Sequence, residues 1–153
     1  MYRLMQNLKK KIVVKIIIRD GHGKVLFLVR SSTHPLYSDQ LDLPGGLAER
    51  FESPLDAMKR ELEEETNLVL RNKMHVLAKK RIMTSKEDIY YYIFGIQLAS
   101  LANFNVQLSD EHSSFILLDV NDLDSNLEQR LTDDYIIDAI NLLRGIRDRS
   151  KMY

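Results

Sequence analysis

Residues 43–68 of this chain, LPGGLAERFESPLDAMKRELEEETNL, contain a glycine turn, a helix start and a cluster of carboxylates. Ser53 and Pro54 predict the start of a helix, because serine can accept hydrogen bonds from free backbone amides and proline suits the first helical position. Asp56, three residues after Ser53, completes a capping box. We expect this helix to run to about Thr66 and the rest of the chain to form a scaffold around it.

Three carboxylates lie on one face of the predicted helix, because successive helical residues turn by about 100°; they are Glu61, Glu64 and Glu65. Like charges at this spacing repel, and acidic side chains are unfavourable near a helix C-terminus. A bound cation would offset both effects, and Mg²⁺ takes carboxylate, water and phosphate oxygens as ligands. The pattern therefore predicts a metal site for phosphate chemistry. The alternative is a solvated acidic face without a ligand.

The same stretch resembles the Nudix box, whose pattern is G-x5-E-x7-R-E-U-x-E-E-x-G-U, with U a bulky aliphatic residue. The matching residues are Gly46, Glu52, Arg60, Glu61, Leu62, Glu64, Glu65 and Leu68. Asn67 stands at the last glycine of the pattern, and asparagine is the next best residue for a left-handed helix cap. Residues 41–46, LDLPGG, are similar to the W-x-L-P-G-G lead-in common in the family, with Leu41 in place of the aromatic residue.

The resemblance implies roles for individual residues. Its metal ligands and catalytic carboxylates correspond to Glu61, Glu64 and Glu65. A backbone carbonyl at Gly45 is a further expected metal ligand, and the absence of side chains at Gly45 and Gly46 lets the backbone approach a substrate closely. Arg60 is expected to pair with Glu52 and so to orient the loop against the helix. The alternative is that Glu52 reaches a metal through water.

Two regions outside the box extend the candidate site. Arg30 ends a predicted strand near the glycine turn and is a candidate for binding substrate phosphates, as is the cluster at residues 79–81, KKR. Solvated strand ends are the alternative. Residues 109–112, SDEH, resemble a loop in which some Nudix hydrolases place a further glutamate at the metals. Glu111 is therefore a candidate metal ligand and catalytic base, and the alternative is an acidic loop tip without such a role.

The composition is typical of a single domain whose anionic ligands are attracted by individual side chains and not by a net charge. The chain has 153 residues, 44% of them hydrophobic, with 22 basic and 22 acidic side chains. A net charge of zero gives no reason to expect strong attraction to nucleic acid or to an anionic membrane. The absence of cysteine excludes disulfides and thiolate metal sites. No segment has the pattern of a signal peptide or a membrane span, so we expect a cytoplasmic protein.

Runs of β-branched and aromatic residues predict a sheet. The predicted strands are Lys11–Arg19, Val25–Arg30, Gln40–Leu43, Val69–Leu70, His75–Met83, Ile89–Leu98, Phe104–Leu108 and Phe115–Asp119. A turn signal at residues 20–23, DGHG, predicts that the first two strands pair as a hairpin. Apolar residues at helical spacing predict a C-terminal amphipathic helix over Asp133–Arg147. Residues 90–92, YYY, must alternate between faces, and core packing is expected, with a nucleobase-stacking face as the alternative.

These elements and the resemblance imply an α/β fold. We expect a single MutT-like Nudix domain over residues 1–153, in which residues 1–10 form a flexible or docked lead-in. Its architecture would be an α/β/α sandwich with a mixed β-sheet between the box helix and a C-terminal helix. The sequence leaves open whether the chain forms a homodimer.

The implied function is that of a Mg²⁺-dependent hydrolase, with Mn²⁺ as an alternative ion. It would cleave a diphosphate linkage in a nucleoside diphosphate joined to another group, and a nucleoside triphosphate or related nucleotide is favoured because the chain is short and carries the SDEH loop. A non-catalytic nucleotide or ADP-ribose sensor is the first alternative. An isomerase of prenyl diphosphates is the second, although it would usually need a catalytic cysteine that this chain lacks.

Overall fold

The computed structural model describes residues 8–102, 104–123, 130–131, 136–141 and 143–144. The elements in chain order are β1 (Lys9–Asp20), β2 (Lys24–Arg30), β3 (Leu41–Asp42), β4 (Gly45–Leu47), α1 (Pro54–Thr66), β5 (His75–Met83), β6 (Glu87–Leu98) and β7 (His112–Asp119). Residues 136–141 and 143–144 are also helical and belong to the predicted C-terminal helix. The remaining residues of that predicted helix, and most of the predicted lead-in, lie outside the described residues.

The seven strands of the described chain form one mixed sheet, with a central order of β3-β2-β1-β6-β5. Strands β1 and β6 run parallel along their whole length, and the pairs of β1 with β2 and β4, and of β2 with β7, are antiparallel. At the turn between β1 and β2, the Asp20 carboxylate accepts hydrogen bonds from the backbone N–H groups of His22 and Lys24, each at 2.9 Å. The predicted hairpin is confirmed.

Alternation along β1 supplies both faces of the sheet with core residues, because successive strand side chains point to opposite sides. Ile16 and Ile18 pack in one buried cluster with Met58 and Leu62 of α1. Ile17 packs in the other cluster with residues of the C-terminal helical segment, among them Ile136 and Ile140. Helices therefore cover both faces of the sheet, and the predicted α/β/α sandwich is confirmed.

Helix α1 begins and ends where its capping residues predict. The Ser53 hydroxyl accepts a hydrogen bond from the backbone N–H of Asp56 at 3.1 Å. At the other end, Asn67 adopts the left-handed conformation with φ 57°, and its N–H donates to the Glu63 carbonyl at 2.8 Å. Asparagine tolerates this backbone conformation well, so the departure from the glycine of the box pattern leaves the cap intact.

Two predicted strands are wrong. Residues 104–108 form an irregular segment whose apolar side chains pack against the α1 cluster, which explains the strand-like alternation of Phe104, Val106 and Leu108. This segment caps the helix, since the N–H of Gln107 donates to the Thr66 carbonyl at 3.0 Å. Residues 69–70 are also irregular, and the Val69 side chain is 68% exposed. Within the described residues, no helix has the length and apolar character required to cross a membrane.

Candidate active site

The glycine turn presses the backbone of β4 against β1 and α1. Gly45 has φ +139°, and a Cβ there would lie 2.0 Å from the Val14 carbonyl oxygen. A Cβ at Gly46 would lie 2.6 Å from the carboxylate of Glu61. Glycine is required at position 45, because a Cβ there would strike the backbone of β1, whereas a Cβ at position 46 would displace the carboxylate of Glu61. The turn thereby brings the Gly45 backbone to the acidic face of α1.

Glu65 is the buried member of the acidic face, with 6% of its surface exposed. Its carboxylate accepts a hydrogen bond from the Gly45 N–H at 2.8 Å. Burial raises the pKa of Glu65 to about 8, although nearby Lys15 and the Gly45 hydrogen bond oppose the rise. An ionised carboxylate is costly to bury, and a bound cation would stabilise the ionised form of Glu65 at this position.

Arg60 ties the loop after the glycine turn to the acidic face. Its Nε and Nη2 atoms donate to the two oxygens of Glu52 at 2.9 and 3.0 Å, in the bidentate geometry that arginine favours. Its Nη1 donates to Glu61 at 2.9 Å and to Glu64 at 3.0 Å, and Nη2 also donates to the Leu47 carbonyl at 3.1 Å. The ion pair expected between Arg60 and Glu52 is present, and the same guanidinium orients two further carboxylates.

Glu61 is half-buried and Glu64 is exposed. Burial raises the pKa of Glu61, and the hydrogen bond from Arg60 opposes the rise. Among the described residues, no group of three or more acidic or histidine side chains is arranged to hold a metal ion. The carboxylates of Glu61 and Glu64 instead face Arg60. Carboxylate and carbonyl oxygens are nevertheless the donor set that a hard cation prefers, so these residues fit an ion by their chemistry once the two side chains rotate.

A buried ion pair beneath the glycine turn was missed by the sequence predictions. The Lys15 ammonium donates to Asp42 at 2.8 Å and to the carbonyls of Leu43 and Gly45 at 3.2 and 3.3 Å. Burial by itself would raise the pKa of Asp42, but Lys15 and Arg30 together lower that pKa below its usual range. The available signal was a lysine inside the apolar strand β1 and an aspartate between two leucines, which are two opposite charges in buried strands.

Arg30 and Glu111, the other two candidate residues, contact different parts of this centre. The Arg30 guanidinium donates to Asp42 at 2.7 Å and contacts His34 Nε2 at 2.9 Å, so it is held at the buried pair. Glu111 is exposed in a turn, and its backbone carbonyl accepts from the Ser31 N–H at 2.9 Å. The N–H of Ser109 donates to the Glu65 carbonyl at 3.3 Å, which docks the Glu111 loop on the C-terminal end of α1.

His112, next to Glu111 in the SDEH stretch, is buried near Asp42, Arg30 and Lys15. It is 5% exposed, and burial lowers its pKa, while Asp42 opposes this effect. Neither ring nitrogen has a hydrogen-bond partner within the part of the chain that the structure describes. The basic cluster at residues 79–81 is divided between faces, since Lys80 pairs with Asp138 at 3.5 Å on the side of the C-terminal helical segment.

The chain is similar to known proteins in sequence and in fold. A sequence model of the NUDIX domain matches residues 9–140. The MutT protein from Methanosarcina mazei Go1 superposes with a TM-score of 0.70 at 22% identity, covering 93% of this chain and 96% of that one. A MutT NUDIX hydrolase from Burkholderia pseudomallei superposes with a TM-score of 0.68 at 21% identity, covering 88% of this chain and 98% of that one.

At these identities the two solved structures show a shared fold. No curated protein matches the sequence. The NUDIX match, however, spans most of the chain and includes the glycine turn, Arg60 and the acidic face of α1. The chain belongs to the Nudix family and is a Nudix hydrolase, an enzyme that cleaves pyrophosphate linkages.

Proposed function

We propose that this enzyme uses Mg²⁺ to hydrolyse a diphosphate linkage in a nucleoside diphosphate joined to another group, with a nucleoside triphosphate or related nucleotide as its substrate. The observation that carries the proposal is the buried Glu65 carboxylate, which accepts the Gly45 N–H at 2.8 Å and has its pKa raised by burial. Burial has already removed most of the water around the Glu65 carboxylate. A divalent cation can therefore bind this carboxylate with little further loss of hydration.

The ion would be held by Glu61, Glu64, Glu65 and the carbonyl of Gly45. When bound, it supplies Lewis-acid polarisation of the phosphate oxygens and lowers the pKa of a bound water. The half-buried Glu61 and the exposed Glu64 are both anchored by Arg60. Because these two carboxylates must turn away from Arg60 to reach an ion, we assign Arg60 and Glu52 the role of holding the loop against α1, and Gly46 the role of leaving room for the carboxylate of Glu61.

The remaining residues of the site handle charge and protons. Lys15 and Arg30 place two cations around Asp42, directly beneath the glycine turn. Arg30, whose side chain is partly exposed, is our candidate for contact with substrate phosphate. The attacking water must lose a proton as it adds to phosphorus, and Glu111 is our candidate acceptor, because its loop is fixed to the end of α1 by the Ser109 hydrogen bond. Glu111 could alternatively bind a metal.

We also propose that residues 1–153 form a single domain and that the enzyme acts in the cytoplasm. The NUDIX match over residues 9–140 supports the first point, and a sequence without cysteine suits a reducing compartment.

The test is a substrate panel assayed with Mg²⁺, with Mn²⁺ and with a chelator. It contains nucleoside triphosphates, nucleotide sugars, dinucleoside polyphosphates and dinucleotide cofactors, and products are identified by mass spectrometry after hydrolysis in heavy-oxygen water. We expect metal-dependent cleavage at a diphosphate linkage, with the heavy oxygen in a phosphate product. Absence of turnover across the panel, or turnover that the chelator leaves unchanged, would overturn the proposal.

A further inference from the structure

A ladder of aromatic and basic side chains occupies the α1 side of the sheet, at the end where β1 and β6 begin. The parallel register pairs Ile12 with Tyr90 and Val14 with Tyr92. Val14 is buried against α1, and paired residues of neighbouring strands point to the same face. Tyr90 and Tyr92 therefore lie on the α1 side, and Tyr91 lies on the opposite side.

Cations from the two neighbouring strands flank these tyrosines. Lys10 of β1 lies over the Tyr90 ring at 4.8 Å from its centroid, and Arg81 of β5 lies over the same ring at 5.1 Å. Lys79 lies over the Tyr92 ring at 5.2 Å. Such cation–π contacts keep basic groups ordered along an aromatic surface. We call this surface, formed by Lys10, Lys79, Arg81, Tyr90 and Tyr92, the aromatic ladder.

A cavity of about 650 Å³ adjoins the ladder through Lys10 and is lined by the start of β1 and by residues 47–52. Its walls include Lys9, Lys10, Leu47, Arg50, Phe51 and Glu52. Leu47 and Glu52 also contact Arg60, which orients Glu61 and Glu64. The cavity therefore borders the candidate active site, and its volume lies within the range of small-molecule sites, about 300–1,000 Å³.

Phe51 is an unusual residue for this wall. Its side chain is 92% exposed, and its backbone has φ 68°, a conformation that is unfavourable for a bulky side chain. The Arg50 guanidinium lies over the ring at 4.7 Å from its centroid. An apolar ring kept in solvent at a backbone cost indicates a function in ligand contact, and both a phenyl ring and a guanidinium plane are surfaces on which a nucleobase stacks.

The charge of this region favours a ligand with phosphates. Lys11 pairs with Glu87 and Arg81 pairs with Asp88. In the described part of the chain, by contrast, no carboxylate lies within ion-pair distance of Lys9, Arg50 or Lys79, whereas Lys10 interacts with the Asp88 carboxylate at longer range. Exposed cations interleaved with aromatic rings are the combination that binds bases and phosphates together.

We propose that the cavity and the aromatic ladder bind a second nucleotide unit of the substrate, beyond the diphosphate that is hydrolysed. The base of this unit stacks on Phe51, and its phosphates lie among Lys9, Lys10, Arg50 and Lys79, whose cations the ladder rings hold in place. This inference rests on the proposed function and narrows its substrate class to molecules that carry a nucleotide on both sides of the phosphates. A dinucleoside polyphosphate and the 5′-triphosphorylated end of a short oligonucleotide share this chemistry.

The test is equilibrium binding in the presence of a chelator, so that hydrolysis plays no part. The probes are a dinucleoside tetraphosphate, a 5′-triphosphorylated trinucleotide and a nucleoside triphosphate, each titrated at constant ionic strength into wild type, Phe51→Ala, Lys79→Gln and Lys80→Gln. Lys80→Gln is the matched control, because Lys80 is adjacent in β5 but faces the other side of the sheet. Circular dichroism checks that each variant is folded.

We expect Phe51→Ala and Lys79→Gln to weaken binding of at least one two-nucleotide probe about fivefold to tenfold, since stacking and phosphate contacts are lost. Binding of the nucleoside triphosphate should change less than about twofold, and Lys80→Gln should bind all probes like wild type. The more strongly affected two-nucleotide probe identifies the source of the ligand. Equal weakening for all probes, unchanged binding, or the same effect from Lys80→Gln would overturn the inference. If the variants bind selectively as expected but the wild type hydrolyses none of the compounds in the substrate panel, the result would count against the proposed function alone.

Discussion

The backbone N–H of Gly45 donates a 2.8 Å hydrogen bond to the buried carboxylate of Glu65, across 20 residues of sequence. This bond joins the glycine turn to the acidic face of α1, and so fixes the Gly45 carbonyl relative to the carboxylates. Glycine is required at position 45 because a Cβ there would collide with the backbone of β1, and a Cβ at Gly46 would displace the Glu61 carboxylate. The relationship explains why a turn and a helix that are separate in sequence serve one site.

Glu65→Gln should change how stability depends on pH. The pKa of Glu65 rises from 4.5 to about 8 on folding, so between these values the folded state binds more protons than the unfolded state. The free energy of unfolding of the wild type should therefore fall as pH rises through this window, in the absence of divalent metal. Glutamine can still accept the Gly45 N–H but cannot ionise. The variant should be more stable than wild type at pH 8, by on the order of 2 kcal/mol.

Urea denaturation between pH 5 and pH 9 with a chelator measures this effect. Glu63→Gln is the control, because Glu63 is exposed on the same helix, and it should keep the wild-type dependence. Parallel pH profiles for wild type and Glu65→Gln would show that the carboxyl group is not held in a raised-pKa state.

Lys15→Met should destabilise the fold. The substitution removes the ammonium that donates to Asp42 at 2.8 Å and leaves that buried carboxylate with Arg30. Breaking a buried ion pair by removing one partner costs about 3–5 kcal/mol. The double variant Lys15→Met/Asp42→Asn should recover part of the loss, because it also removes the uncompensated charge. A double-mutant cycle from chemical denaturation measures the coupling, and strictly additive effects would contradict it.

Arg60→Lys should weaken metal binding while preserving the charge. A single ammonium cannot reproduce the bidentate pair of the guanidinium with Glu52 together with its bond to the Leu47 carbonyl, which hold the loop against α1. The Mg²⁺ concentration for half-maximal activity should rise about tenfold, with a much smaller change in kcat at saturating Mg²⁺, since loss of a group that positions ligands typically costs 10–100-fold in metal affinity. Lys59→Arg, an exposed neighbour, is the control. A fall in kcat that saturating Mg²⁺ does not repair would indicate a direct catalytic role.

Local signals in the sequence sufficed for helix α1. Ser53 and Asn67 mark its two ends, because capping residues form hydrogen bonds with backbone groups only a few residues away in the chain. The sequence also predicts a helical layer on each face of the sheet, because the apolar residues of β1 are continuous and so lie on both faces. The predicted strand at residues 104–108 failed because alternation reports which side chains are buried, and this segment buries alternate residues against α1 without pairing in the sheet.

Contacts between residues far apart in the chain could not be predicted from such local signals. The pairing of Lys15 with Asp42 spans 27 residues and depends on the order of strands in the sheet. Likewise, strand alternation puts Lys79 and Lys80 on opposite faces, but which of them faces α1 depends on how β5 pairs with β6, and that register shifts at a bulge between Val76 and Ala78. The box pattern located the acidic face of α1 and the end of β2 located Arg30, but only the fold shows that Lys15 and Asp42 pair beneath the glycine turn.

The most direct test of the central claim compares Glu64→Gln with Glu63→Gln. Both residues are exposed on α1, but only Glu64 lies on the face shared with Glu61 and Glu65. Glutamine retains the size and helix propensity of glutamate, so both variants should keep the fold, with stability changed by no more than about 0.5 kcal/mol.

The measurement is kcat at saturating Mg²⁺ on the best substrate of the panel. We predict a loss of more than tenfold for Glu64→Gln, which corresponds to at least about 1.4 kcal/mol of transition-state stabilisation, and near-normal activity for Glu63→Gln. Equal activity of the two variants would contradict the assignment of the acidic face as the metal site.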